Sequence, residues 1–371
     1  MRKPNNNTDA FFSLLRAGLW EQEVELSQFK GVDYTVLLEI AQEQSVVGLV
    51  AAGLEHISDI RIPKDIALEF VGNALQIEQR NLAMNSFIAS LICKMRSADI
   101  YALLLKGQGI AQCYKRPLWR ACGDVDLFLS DNKFAKAVSF LTPLSSSIEE
   151  IDQYKLHLPM IIDTWTVELH GTMRGGLWIR IDHVLDEVQN DIFFSGNVRS
   201  WVNGKTQIFL PRADEDVVFV FSHILQHFFR GGIGLRQLCD WCRLLWTYRD
   251  TIDVILLERR LRKMGAMTEW KAFASLAVNY LGMPVEAMPF YSSSKKWSRK
   301  ARRILLLIIE TGNFGQNRDL EYQNHSFVVR KSITLWRLTW DSIRQLLIFP
   351  IDPIRVWNNM FVSRMKLLVK A

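Results

Sequence analysis

The chain has 371 residues, 49% hydrophobic and 23% charged, with a net charge of +6. These values exclude a disordered chain and leave room for a substantial core. No apolar run approaches the ~18 residues that span a bilayer, and five cysteines without framework spacing argue against structural disulfides.

The N-terminal MRKPNNNTDA is basic and no apolar segment follows it, so we expect no secretory signal and a soluble cytoplasmic protein. Residues 10–100 read mostly as helix: Phe11, Leu14, Leu15 and Leu19 keep helical spacing, as do Val36–Ala41 and Val46–Leu54. A long helix is predicted from Pro63 to Ala98. Ile66, Phe70, Ala74, Ile77, Met84, Ile88, Leu91 and Met95 hold one face, with Asn81 as its polar interruption. Pro63 suits the first turn. We read this region as a helical cap.

At Ile100 the pattern changes. Tyr101–Leu105 is a short apolar run ended by Lys106-Gly107-Gln108-Gly109, which reads as a buried strand, a glycine turn and a helix over Ile110–Tyr114. A connector containing Pro117 and Gly123 leads to a strand over Asp124–Leu129, and Ser130-Asp131-Asn132 signals the cap of a helix over 133–142. Leu156–Ile162 suits a further strand, and Pro159 would confine it to a sheet edge. Thr164–His170 is a strand with Thr166, Glu168 and His170 on one face. Trp201–Leu210 reads as a hairpin turning on Asn203-Gly204, a type I′ pair. Helices are predicted over 214–229, 234–249, 251–264 and 268–282, followed by basic helices. Four or five strands between helical flanks make the chain α+β.

The strongest chemical signal is Gly123-Asp124-Val125-Asp126-Leu127-Phe128. Period-2 spacing aims both carboxylates to one side of the strand. Two like charges held close raise each other's proton affinity unless a cation sits between them, and carboxylate oxygens are ligands that Mg²⁺ prefers. The plainer reading is an exposed strand face that carries two acids. Lys106-Gly107-Gln108-Gly109 puts a glycine turn at a helix start, where backbone N–H groups and a lysine can cradle phosphate; the plainer reading is an ordinary strand-to-helix connection. Glu168 adds a third carboxylate on another strand, a set that suits two-metal phosphoryl transfer. His170 shares its face. Arg120 suits either a triphosphate contact or a salt bridge. His223 and His227 are an i, i+4 pair, read as a hydrogen-bonded core pair or as substrate-facing, with no further ligand to complete a zinc site. Arg236 and Asp240 have the same spacing and suit a mutual salt bridge that locks the helix. Cys239 and Cys242 lie in an apolar run and read as buried thiols. Lys155 and His157 are within reach of a phosphate, although their spacing says little.

Taken together, Lys106-Gly-Gln-Gly-Ile-Ala, Tyr114, Pro117, Arg120 and Gly123-Asp-Val-Asp-Leu resemble the motif run of the uncharacterised nucleotidyltransferase family, within the DNA polymerase β-like superfamily. Val167-Glu-Leu-His170 is similar to its third-acid strand, and His223-x3-His227 with Gly234-Leu-Arg236-x3-Asp240 to its helical segment. The likeness covers roughly residues 35–250. It implies a nucleotidyltransferase-type mixed sheet flanked by N-terminal and C-terminal helical regions. The divisions expected are a helical region at 1–99, a catalytic core at 100–212, a helical region packing on the core at 213–294, and a basic Trp-rich helical tail at 295–371. By the same resemblance, Asp124, Asp126 and Glu168 are the metal-binding and catalytic acids, with Mg²⁺ as the ion and Mn²⁺ as its substitute. Lys106, Gly107, Gln108, Gly109 and Arg120 are assigned to the phosphates, and His170, His223, His227, Arg236 and Asp240 to substrate contact. Gln108 stands where the superfamily usually has serine.

The charge is uneven along the chain. Residues 295–371 hold 15 Lys/Arg and 5 Asp/Glu, a balance of +10, which leaves −4 for the first 294 residues. Lys295–Arg303 is the densest run, and Trp336, Trp340 and Trp357 alternate with Arg337, Arg344, Arg355 and Arg364. We read the Trp face as packing on the body with the cations solvated. Peripheral contact with an anionic membrane, on the inner face of the cell, is the next reading. No recognition motif supports sequence-specific DNA binding. The expected activity is Mg²⁺-dependent transfer of an NMP from an NTP to a sugar phosphate, glycan intermediate, protein or RNA. A non-catalytic nucleotide-binding module on the same fold, or a membrane scaffold acting through the tail, are the alternatives.

Overall fold

The helical spacing at the N-terminus forms four helices: α1 (Asn6–Trp20), α2 (Tyr34–Glu43), α3 (Val47–Leu54) and α4 (Lys64–Ser97). The computed structural model describes residues 6–196, 198–315 and 327–356. α1 and α3 meet backbone to backbone, where a Cβ on Gly18 would lie 1.8 Å from the Leu49 carbonyl oxygen and one on Gly53 2.1 Å from that of Leu14. The long α4 buries Phe70, Ala74, Met84, Ile88, Leu91 and Met95, as its spacing predicts. Pro63 stands at its N-cap, one residue before the first turn.

Among the described residues the sheet has seven strands, two or three more than expected, in the order β3-β4-β5-β2-β1-β7-β6. In chain order the elements are β1 (Leu103–Leu105), α5 (Gly107–Ala111), β2 (Asp124–Phe128), α6 (Asp131–Leu141), β3 (Ser145–Ile148), β4 (His157–Ile162), β5 (Trp165–His170), α7 (Ile179–Ser195), β6 (Arg199–Asn203) and β7 (Thr206–Leu210). β2 pairs parallel with β5 and antiparallel with β1, so the sheet is mixed. One face carries Leu104, Val125, Leu127, Val167 and Leu169, packed with Met84, Ile88 and Leu91 of α4 and with Phe134 and Ala137 of α6. The other face carries Leu103, Leu105 and Phe128 into a second core with α7 and the later helices. Alternation along the strands therefore puts Asp124, Asp126, Glu168 and His170 on this second face.

Three local expectations are corrected. Pro159 does not mark an edge, because β4 lies between β3 and β5. Its carbonyl accepts from Glu149 N, one residue past the end of the four-residue β3, so its missing N–H falls on the side where the neighbouring strand has already ended. The hairpin turns on Gly204-Lys205, since Asn203 pairs with Thr206. Of these two turn residues only Gly204 has positive φ (61°), the pattern of type II′. Ser130 stands at the N-cap of α6, but its hydroxyl bonds Asn132 Oδ1 at 2.6 Å and not the helix backbone.

Among the described residues the helices that follow include α8 (Ala213–Arg230), α9 (Leu235–Thr247), α10 (Val254–Met264), α11 (Met267–Leu281), α12 (Lys295–Thr311) and α13 (Phe327–Leu346). α12 buries Ala301, Ile304, Leu305, Leu307 and Ile308 in the second core, and Ile348, Phe349 and Val356 join them. The basic segment is thus partly body. The expected packing of its Trp face fails, however. Trp336 is 67% and Trp340 51% exposed, and the two rings stack on each other at 6.3 Å. Trp357 and Arg364 lie outside the described residues. Among the described residues no helix is long and apolar enough to cross a membrane.

Candidate active site

Register builds the acidic centre. Asp126 pairs with Leu105 of β1 on one side and with Glu168 of β5 on the other, and Asp124 follows two residues away on the same face. The carboxylates of Asp124, Asp126 and Glu168 bring ligand oxygens within 4.8 Å of one another. Asp126 is buried, and the other two are half-buried. Their donor set is all oxygen, which fits a hard divalent ion.

The chain turns sharply out of β1 to reach this centre. Lys106 has φ 49° and ψ −143°, a strained conformation for a residue with a side chain, and Gly107 follows at φ 43°. The turn returns the lysine onto the acids: Lys106 Nζ lies 2.9 Å from Asp126 Oδ1 and 3.1 Å from His223 Nε2 on α8. His227 Nε2 is 3.1 Å from the same His223 nitrogen. Across the sheet, His170 Nε2 is 2.9 Å from Asp126 Oδ1, and His157 Nε2 is 3.0 Å from Glu168 Oε2.

These contacts divide the acids. The Asp126 charge, with burial, raises the Asp124 carboxyl above its ordinary range. Burial opposes ionisation of Asp126, but Lys106 and His170 outweigh it and hold that carboxyl below the usual range. Glu168 is also lowered, with the hydrogen bond from His157 and the charges of Lys106 and His170 outweighing burial. Burial works against the Lys106 ammonium, yet the three carboxylates raise its pKa. Burial and the Lys106 charge push His223 well below its ordinary value and His227 down to about 4, so both rings are neutral at pH 7.

A narrow cleft opens between α5, β2, α8 and α9, with about 40 Å³ of room beside Lys106, Arg120, Asp124, Asp126, His223 and Arg236. Its far wall is a closed ionic network. Arg120, buried, donates from Nε to Asp240 Oδ1 at 3.0 Å and also pairs with Oδ2. Tyr114 Oη donates to Asp240 Oδ1 at 2.8 Å. Arg236 Nη1 donates to Ala121 O at 3.0 Å. Of the two readings of Arg120 the structure gives the salt bridge, and its partner is Asp240, the carboxylate that spacing assigns to Arg236. The 117–121 connector is held from behind as well. Asn81 Nδ2 donates to Leu118 O at 2.7 Å and to Arg120 O at 2.9 Å.

Two predicted phosphate residues do not reach the cleft. Gln108 is buried and donates from Nε2 to Asn81 Oδ1 at 2.7 Å, and a Cβ on Gly109 would meet Leu210 at 2.8 Å, so both face the sheet and α4. Asn81 and His157 are the residues that motif reading undervalued. The only signal for Asn81 was a polar side chain on an otherwise apolar helix face. His157 is legible only from its cross-strand pairing with His170. Cys239 and Cys242 are buried free thiols, as expected.

No curated protein and no solved structure is significantly similar to the chain. Residues 30–282, more than half of the chain, match the profile of the family described as uncharacterised nucleotidyltransferase. With the mixed sheet, the three acids and the lysine turn in place, the chain belongs to that family.

Proposed function

We propose that the protein transfers a nucleoside monophosphate from a nucleoside triphosphate to a hydroxyl or phosphate acceptor, releasing pyrophosphate in a Mg²⁺-dependent reaction. The observation that carries this reading is a charge imbalance: three carboxylates converge on one ammonium. Asp124, Asp126 and Glu168 would hold the ion, with Mn²⁺ as a substitute. When bound, a divalent ion supplies positive charge to the triphosphate and to the departing pyrophosphate.

The chain's own residues supply the rest. Lys106 has three N–H donors and bonds Asp126 and His223, which leaves one to meet a phosphate oxygen. Neutral His223 accepts at Nε2 and keeps the ammonium aimed. Arg236 and Gly107 also line the cleft. A Cβ on Gly107 would lie 3.2 Å from Cys122 Sγ and 3.6 Å from Asp124 O, so glycine keeps this corner open. Glu168, ionised and steadied by His157, takes the proton of the acceptor hydroxyl at a carboxylate oxygen. His157 and His170 end β4 and β5, and next to them lies a groove of about 340 Å³ walled by Tyr154, Thr172, Arg174, Asp186, Gln189 and Asn190. A wall this rich in hydroxyl, amide and charged groups suits a hydroxylated acceptor, so sugar phosphates and glycan intermediates come before protein and RNA.

The test supplies purified full-length protein with each α-labelled NTP, Mg²⁺ and an acceptor panel, and follows pyrophosphate release and transfer of label. Activity that survives Asp124→Ala with Asp126→Ala sinks the assignment. One observation favours a non-catalytic nucleotide-binding module, namely that Lys106 already places a positive charge on Asp126. Calorimetry separates the two readings: nucleotide binding that ignores both Mg²⁺ and the acids, without turnover, supports the module. Peripheral membrane contact is a separate proposal, supported by the exposed Trp336–Trp340 stack.

A further inference from the structure

The face that carries the acids holds a second donor set of different chemistry. His157 opens β4, His170 closes β5, and the two are direct cross-strand partners. Glu168 lies two residues before His170 on the same face. His157 Nε2 is 3.0 Å and His170 Nε2 3.7 Å from the same oxygen, Glu168 Oε2, and the imidazole centroids are 4.8 Å apart. One ligand atom from each residue falls within 4.8 Å of the others, and all three residues are half-buried. Two nitrogens and one oxygen are thus gathered on paired strands of the sheet, with one side open to solvent.

We propose that His157, Glu168 and His170 form a second divalent-cation site, separate in composition from the all-oxygen site and selective for Zn²⁺ or Co²⁺ over Mg²⁺. Imidazole nitrogen suits these ions, whereas Mg²⁺ takes oxygen. Three protein ligands with open positions are the pattern of a reactive metal site, and a fully closed set of four is the pattern of a structural one. Glu168 has two carboxylate oxygens and can serve both sites. Binding requires the lone pair of each Nε2, so each ring then carries its proton on Nδ1. His170 cannot at the same time donate from Nε2 to Asp126, so occupation of the nitrogen site takes one of its two partners, His170 but not Lys106, away from Asp126 Oδ1. The two sites are therefore coupled through His170 and Glu168.

The inference goes beyond the proposed transfer reaction, and its test is a binding measurement. Chelator-stripped full-length protein is titrated with Co²⁺ and followed by visible absorption, with Zn²⁺ as competitor and excess Mg²⁺ present to fill the oxygen site. Expected is one Co²⁺ per chain, displaced by Zn²⁺, with affinity at least tenfold weaker in His157→Gln with His170→Gln and retained in Asp124→Asn with Asp126→Asn. Equal Co²⁺ affinity in the wild type and the histidine variant overturns the site, as does loss in the aspartate variant alone. Pulsed EPR of one equivalent of Cu²⁺, an ion that imidazole suits, bound to the unmutated protein with excess Mg²⁺ filling the oxygen site removes any dependence on variant folding: nitrogen modulation from imidazole is expected, and its absence overturns the site. Nitrogen-coupled metal without NTP turnover would sink the transfer reaction alone, and turnover without nitrogen coupling would sink this inference alone.

Discussion

Two buried ionic clusters face each other across the cleft, and they are built on opposite plans. Arg120, Asp240 and Tyr114 are closed: one guanidinium meets one carboxylate at two points, and the phenol donates to the same carboxylate. Asp124, Asp126 and Glu168 are open: three acids share Lys106 and two histidines, and the Asp124 carboxyl is raised by the charge beside it. A closed cluster holds a fold together, because every buried charge has its partner. An open cluster carries an unfavourable charge pattern that a bound cation relieves, as the proposed reaction centre requires.

The comparison breaks most visibly on the closed side. Asp240→Ala leaves Arg120 buried without its carboxylate and is expected to cost about 3–5 kcal/mol, read by denaturant unfolding. A cost below ~1 kcal/mol would mean that the network is ornamental. Asn81→Ala removes the donor to the Leu118 and Arg120 carbonyls and is expected to cost about 1–3 kcal/mol. It should also lower activity by loosening the connector.

The open side is expected to respond with the opposite sign. The folded pKa of Asp124 lies above its unfolded value, so its contribution to stability is present below the unfolded pKa and is lost as pH rises through the folded one. Asp124→Asn should therefore raise the thermal midpoint at pH 7, and the two proteins should converge as the solution is acidified below about pH 4. A lower midpoint at pH 7 would place Asp124 among the structural charges. The smallest effect belongs to the exposed stack. Trp336→Ser with Trp340→Ser should change stability by no more than about 0.5 kcal/mol. Flotation with anionic liposomes reports whether those rings contact a membrane, and unchanged flotation of the variant removes that proposal. A truncation at 294 is the wrong probe, because α12 contributes Ala301, Ile304 and Ile308 to the core.

The parts of this contrast that could be read in the sequence are those set by periodicity. Alternation in Asp124-Val-Asp126 and Glu168-Leu-His170 put the acids on one face, and helical spacing gave α4 nearly to the residue. The parts that could not be read depend on partners distant in the chain. Asp240 is met by Arg120 from 120 residues away, where i, i+4 spacing offers it Arg236. β3 is the short polar run Ser145–Ile148, which has no apolar alternation to mark it. Gln108 looked like a phosphate residue because it sits in the glycine turn, but the turn begins α5 one residue earlier and swings that side chain onto Asn81. The hairpin slipped by one position because Asn203, a strong turn former, is spent on the last strand pair.

That the open cluster is the reaction centre is tested most directly by the rate of pyrophosphate release from NTP and Mg²⁺, measured side by side for the full-length wild type and Asp124→Asn at equal folded fraction. Expected is measurable release by the wild type and release at least about 10²-fold slower by the variant, with its fold intact. Equal rates in the two proteins would contradict it.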